Sequence, residues 1–115
     1  MASPRVLQFR KIVQLDPKDP VSYYGLGSAC MEDGLWEEAV EAFKKALELK
    51  PDYTAVFPLL ADSLQKLGRM GEVKEVLRKG LEVAEVTRDM IPKQRMEAKL
   101  RGILKREQQG QQSQG

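Results

Sequence analysis

In the first half of the chain, apolar side chains recur every three or four positions. Tyr23, Leu26 and Cys30 share this spacing, and a second apolar run of the same kind falls between residues 36 and 49. A period of three to four residues places apolar side chains on one face of an α-helix. The pattern therefore predicts two amphipathic helices, one beginning near residue 20 and one covering residues 36–49.

Local signals indicate where these two helices begin and end. Asp19 can accept hydrogen bonds from free backbone N–H groups, and Pro20 lacks the N–H that would be unpaired in a first turn. Gly34 suits the left-handed conformation that ends a helix. Pro51 cannot continue the second helix, because its ring clashes with the preceding turn. We therefore expect two helices separated by a short turn at Gly34.

The same pattern returns at an offset of 34 residues. Phe9 recurs as Phe43 and then as Leu77, and Gly34 recurs as Gly68. Further pairs at this offset conserve side-chain size, which a random chain would rarely produce. Because one amphipathic helix pair cannot bury its apolar face alone, the repeat predicts that neighbouring pairs stack.

The order of small and aromatic residues resembles the tetratricopeptide repeat (TPR), a helix–turn–helix unit of about 34 residues. In the better repeat the resemblance lies in Tyr23, Leu26, Gly27, Gly34, Trp36, Ala39, Phe43, Ala46, Leu49 and Pro51. In the second repeat it lies in Phe57, Leu60, Ala61, Gly68, Val73, Leu77 and Gly80. The resemblance implies an all-α fold, a TPR-like α-solenoid of stacked antiparallel helix pairs.

The repeats divide a single domain, residues 1–107, into four parts. Ile91, Met96 and Leu100 predict a last amphipathic helix, which we expect to cap the stack. Pro58 is expected to bend the first helix of the second repeat or to shift its start. The predicted segments are a half-repeat 4–17, a repeat 20–53, a repeat 54–87, a capping helix 90–107 and a disordered polar tail 108–115.

Composition narrows the possible chemistry. The chain has 115 residues, a net charge of +2, one cysteine and no histidine. These counts exclude an internal disulfide, a multi-thiolate metal site and the commonest general base. Cys30 is expected to be core filler, because no histidine is available to activate it. The sequence therefore predicts a chain that is not an enzyme and that binds no cofactor or metal.

The longest nearly apolar run, residues 55–61, is far shorter than the roughly 20 residues that a membrane span needs. The chain also starts without the basic and apolar stretches of a signal peptide. A cytoplasmic location is therefore expected.

The resemblance also implies where a partner would bind. In this family the first helix of each pair lines a concave groove. The positions that face the groove are Val21, Tyr24, Gly25, Ser28, Met31, Glu32, Ala55, Pro58, Leu59, Asp62, Gln65 and Lys66. The lysine-and-asparagine clamp with which the best-known members hold a chaperone's terminal carboxylate is absent from these positions. Tyr24, Met31 and Leu59 instead suggest an apolar strip for a partner's amphipathic helix or extended peptide.

Two other surfaces offer alternative functions. Residues 88–107 hold seven basic and three acidic side chains, a basic stripe suited to an acidic partner, an anionic lipid surface or RNA. No aromatic residue is interleaved for base stacking, and DNA is not expected as a partner. The half-repeat lacks its first helix, so the side of Val6, Phe9 and Val13 is expected to be exposed and to pair with a second copy as a weak homodimer. The plain alternative for the basic stripe is a solvated outer helix face with cations near a helix C-terminus.

Overall fold

The computed structural model describes residues 2–114, and the side chains of residues 2–111. Over these residues the chain forms α-helices and no strand, which confirms the all-α prediction. The helices are α1 (Pro4–Leu15), α2 (Pro20–Glu32), α3 (Trp36–Leu49), α4 (Val56–Lys66), α5 (Met70–Thr87) and α6 (Met90–Gln114). Each helix packs mainly on its neighbours in sequence, and α2, α4 and α6 also meet side by side. This is the nearest-neighbour stacking of an α-solenoid.

The predicted signals act at the ends of α2 and α3. The carboxylate of Asp19 accepts a 3.0 Å hydrogen bond from the backbone N–H of Val21, and Pro20 is the first residue of α2. Gly34 and Gly68 end α2 and α4 at φ values of 72° and 74°, in the left-handed region that favours glycine. The helix predicted over residues 36–49 is α3, with the same bounds.

Close approach of the helices depends on small residues. A Cβ atom added to Gly27 would lie 2.5 Å from a ring carbon of Phe43, so α2 and α3 meet there with no room for a side chain. Ala61 is fully buried at the same place in the second pair. Gly80 lies against Phe57 and Met96, which brings α5 close to both α4 and α6. Small residues at these positions therefore set the distance between the packed helices.

The second helix pair departs from the first at the start of α4. This helix begins at Val56, whereas the equivalent of the first repeat would begin at Thr54. In the observed register Pro58 is the third helical residue, a position whose N–H would have no partner within the helix. Pro58 therefore breaks no helical hydrogen bond, and the predicted shift of the helix start is confirmed.

The last helix is longer than predicted. α6 continues through most of the segment predicted as a disordered tail, residues 108–115, as far as Gln114, and Gly115 lies outside the described residues. Glutamine favours helix nearly as well as glutamate or lysine, and no proline interrupts the segment. Within residues 2–114, no helix has the length and apolar character needed to cross a bilayer.

Candidate protein-binding groove

The first helices of the successive pairs form one side of the stack. The first helix of each pair is its A helix, and we call the side formed by α2, α4 and α6 the A-helix face. The sequence predicted a binding surface on α2 and α4 alone. In the structure α6 takes the next place beside α4, so its side chains complete this face.

An apolar pocket of about 150 Å³ opens on the A-helix face where the three helices begin. Ile91, which lines this pocket, leaves 82% of its surface exposed, and Val21, one turn before Tyr24 on α2, leaves 59% exposed. A large exposed apolar side chain beside an apolar pocket is typical of a surface that another molecule covers. The pocket is lined by Tyr24, Ala55, Pro58, Leu59, Ile91, Pro92 and Arg95.

Tyr24 serves the scaffold as well as the pocket. Its ring stacks on Tyr53 at a centroid distance of 5.5 Å and meets Phe43 edge-on at 6.4 Å. Burial is the main cause that raises the pKa of the Tyr53 phenol. Tyr24 was predicted as a groove side chain only, whereas its ring also packs the turn before α4 against α2.

A charged cluster lies beside the pocket. Arg95 Nη2 and Lys99 Nζ bind the two carboxylate oxygens of Asp62 at 2.6 and 2.8 Å, and Lys99 also donates a hydrogen bond to the side-chain oxygen of Gln65. We call Asp62, Gln65, Arg95 and Lys99 the Asp62 cluster. It joins α4 to α6, and its cations come from the helix that was predicted to cap the stack.

The other predicted groove residues lie apart from the pocket. Glu32 pairs with Arg5 of α1 at 2.6 Å, and the ammonium of Lys66 lies 5.6 Å from the ring centroid of Trp36. Ser28 and Met31 are half-buried along α2. Gly25 is a packing position and not a groove position, because the ring of Phe9 fills the space where a side chain would begin.

The 34-residue offset extends into α6 and relates its residues to those of α4. Pro92 stands 34 positions after Pro58, and Lys99 stands 34 positions after Gln65. α6 therefore keeps the register of a first helix even though most of its family-typical residues are absent. An alignment extended through α6 would have placed Pro92 and Lys99 on the A-helix face.

Several cations of the basic stripe, residues 88–107, form ion pairs within the chain. Lys93 binds Glu85 at 2.6 Å, and Arg95 and Lys99 bind Asp62. Among the residues that the structure describes, Arg101, Lys105 and Arg106 form no ion pair. The cations available to an anionic partner on the outer side of α6 are thus fewer than the sequence count indicated.

The surface proposed for self-association is mostly covered. Val6 is fully buried, so the expectation that its side of α1 is exposed is wrong, and Phe9 packs against Gly25. Val13 is also partly buried against the core. α1 turns this side toward α2 because Gly25 leaves room for the Phe9 ring.

The chemistry of Cys30 agrees with its predicted role in the core. Its side chain is fully buried, and burial raises the pKa of the thiol to about 11. A thiol with such a pKa is a poor nucleophile at neutral pH. Among the described residues, no group of three or more cysteine or carboxylate side chains is arranged to hold a metal ion.

Comparison with known proteins places this geometry in a family. A family model for the tetratricopeptide repeat matches residues 20–53, the bounds predicted for the first repeat. A peroxisomal targeting signal receptor from Kluyveromyces lactis is 33% identical over 78 residues, which cover 68% of this chain and 14% of the receptor. The STIP1 homolog of Dictyostelium discoideum is 31% identical over 75 residues, which cover 65% of this chain and 13% of that protein.

The chain thus spans about one seventh of the length of these two relatives. Among solved structures, the TPR2B domain of yeast Sti1, in its complex with pHsp70, matches with a TM-score of 0.77. The match covers 83% of this chain and 76% of that one at 15% identity, which shows a common fold.

Proposed function

This chain belongs to the tetratricopeptide repeat family, and on that basis we propose that it is a protein–protein interaction module without catalytic activity. It binds a helix or peptide segment of a partner protein on the A-helix face. The observation that carries this proposal is the apolar pocket between α2, α4 and α6, with Ile91 exposed in its lining and Val21 exposed one turn before Tyr24 on α2. Covering such side chains removes apolar surface from water and favours association.

The relatives support a partner that is a protein. The Sti1 domain was solved with pHsp70, and the receptor's name describes recognition of a targeting signal. The chain differs from a clamp for a terminal carboxylate, because Tyr24, Ser28 and Asp62 occupy positions where the clamp would need lysine and asparagine. Apolar anchoring is therefore the mode of binding that the residues favour. The cytoplasmic location stays a prediction.

Exposed apolar residues provide a sharp test. Ile91 and Val86 are exposed to 82% and 83%, but Ile91 lines the pocket on the A-helix face, whereas Val86 lies on α5 and lines a separate pocket beside Pro51. We expect Ile91→Glu and Val21→Glu to weaken binding of a partner captured from the source cell and then purified. The loss should be about tenfold or more, as for truncation of an interface anchor. Titration calorimetry measures the affinity of each variant.

Val86→Glu is the matched control and should bind as the parent does, with equal helicity and melting temperature in all variants. If Val86→Glu abolishes binding while the A-helix face variants bind normally, the proposed surface is wrong. If only the double reversal Lys105→Glu and Arg106→Glu abolishes binding, the basic stripe is the functional surface instead.

A further inference from the structure

The Asp62 cluster carries more positive than negative charge. One carboxylate accepts ion pairs from both Arg95 and Lys99, at 2.6 and 2.8 Å. A single negative charge neutralises only one of the two cations, and Gln65 adds no charge. The cluster therefore presents a net positive charge on the A-helix face.

Asp62 is the only carboxylate that pairs with Arg95 or Lys99 among residues 2–111. Glu32, the other acidic residue among the predicted groove positions, is engaged by Arg5 at 2.6 Å. The side chains of Asp62 and Lys99 are only 25% and 22% exposed, and that of Arg95 is 54% exposed. Solvent and salt screen partly buried charges less than exposed ones, so the positive potential of the cluster acts on a molecule bound beside it.

The pocket and the cluster share a residue. Arg95 lines the apolar pocket and also binds Asp62, and Lys99 follows one helical turn later, about 6 Å along the axis of α6. A cavity of about 150 Å³ takes an apolar group of roughly the size of benzene. A ligand that fills the pocket with one side chain would therefore bring its next helical turn to Arg95 and Lys99.

We propose that the partner segment is an acidic amphipathic helix. One large apolar side chain enters the pocket, and a side-chain carboxylate one turn away binds Arg95 and Lys99 in competition with Asp62. The spacing matches residues four apart on a helix, whose side chains are about 5–6 Å apart. This inference rests on the proposed function and adds the charge and spacing of the partner.

Two matched peptides test the charge. Each is an acetylated and amidated alanine-rich helix of about 15 residues, carries a fluorophore, and has one leucine as anchor. The first peptide has glutamate four residues from the leucine on either side, and the second has lysine at the same places. Fluorescence anisotropy should show the glutamate peptide binding about tenfold or more tightly, with an affinity that falls as salt rises.

Variants of the cluster should move the affinity in opposite directions. Lys99→Gln should weaken binding of the glutamate peptide about tenfold, because a charged hydrogen bond is lost. Asp62→Asn removes the carboxylate that competes for Arg95 and Lys99. It should strengthen binding of the glutamate peptide several-fold and weaken binding of the lysine peptide. Lys105→Gln removes the same charge from α6 outside the cluster and should change neither affinity.

The outcomes separate this inference from the proposed function. If Leu59→Glu abolishes binding of both peptides but glutamate and lysine bind equally, or Asp62→Asn fails to strengthen the glutamate peptide, the acidic partner is wrong and the groove stands. If the peptides bind and Leu59→Glu has no effect, the proposed surface is wrong. If neither peptide binds, both proposals fail.

Discussion

At the scale of single residues, two glycines within helices differ in the space available for a side chain. A Cβ on Gly27 would lie 2.5 Å from a ring carbon of the fully buried Phe43, whereas a Cβ on Gly71 would meet nothing within 4 Å. Phe43 cannot move away without disturbing the packed core around it. Helix propensity favours alanine over glycine in the interior of α2, so a loss of stability on adding a Cβ at Gly27 reports the packing.

We therefore expect Gly27→Ala to lower the free energy of unfolding by about 1–3 kcal/mol, the usual cost of overpacking. Gly71→Ala should leave it unchanged or raise it by about 0.5 kcal/mol. Urea denaturation followed by circular dichroism measures both variants. Equal stability of the two variants would contradict the close α2–α3 contact at Gly27.

The residues whose roles were predicted correctly from the sequence are those that act on their own stretch of backbone. Gly34 and Pro51 act on their own backbone, so their effect on helix ends could be predicted without knowing the fold. Gly25 was misassigned for the opposite reason. Its role depends on Phe9, which lies on another helix, and helical position alone does not reveal which neighbour a glycine touches.

At the scale of helices, a bidentate ion pair joins α1 to α3. Arg10 donates to both carboxylate oxygens of Glu38, at 2.8 Å from Nε and 2.5 Å from Nη2. These hydrogen bonds are the main cause that lowers the pKa of Glu38 below its ordinary value. A lowered pKa in the folded state means that the pair stabilises the fold above the unfolded pKa of about 4.3, and that this stability is lost as the pH falls further.

Glu38→Gln should therefore be less stable than the parent at neutral pH, and the difference should shrink in acid. Denaturant titrations at neutral pH and in acid below the ordinary glutamate pKa give the two differences. Glu41→Gln, at an exposed site on the same helix, should show a much smaller difference at both pH values. A gap between parent and Glu38→Gln that stays constant with pH would show that Arg10 does not hold this carboxylate charged.

The contrast between α3 and α6 explains which helices were predictable. Gly34 before α3 and Pro51 after it limit this helix on both sides, and its predicted bounds were confirmed. After residue 107 no proline stops α6 and Gly110 does not end it, while its buried residues, Met96 and Ile103, pack toward α5. Its contribution to the A-helix face comes from Arg95 and Lys99, whose partner Asp62 lies more than thirty residues earlier in the chain. A count of charged residues therefore predicted the basic stripe but did not reveal the carboxylates with which its cations pair.

At the scale of the whole molecule, the first and last helices of the stack each lack the other member of a helix pair. α1 stands where a second helix of a pair would stand, and α6 stands where a first helix would stand. Two copies placed head to tail could in principle complete a pair between them and continue the stack. Whether they do so depends on the side chains at the positions where the inner pairs meet.

Those positions are unsuited to a further contact. Arg95 stands one repeat after Ala61 and two repeats after Gly27, where the inner pairs need small residues. On α1, Arg5 stands one repeat before the buried Ala39. Both arginines are exposed and are held in ion pairs within the chain, with Asp62 and Glu32. Joining two copies would bury these charges, and removing them from water costs more free energy than burying a few apolar groups would return.

We therefore expect a monomer with a mass near 13.0 kDa in multi-angle light scattering, at all concentrations used for the binding experiments. The ion pairs of Arg5 and Arg95 oppose end-to-end stacking of two copies, which leaves the A-helix face available to a partner. Arg5→Glu should not change the mass, because no copy is bound at that face. A parent mass that rises with concentration and falls to the monomer value in Arg5→Glu would instead establish self-assembly through α1, the alternative that the half-repeat suggested.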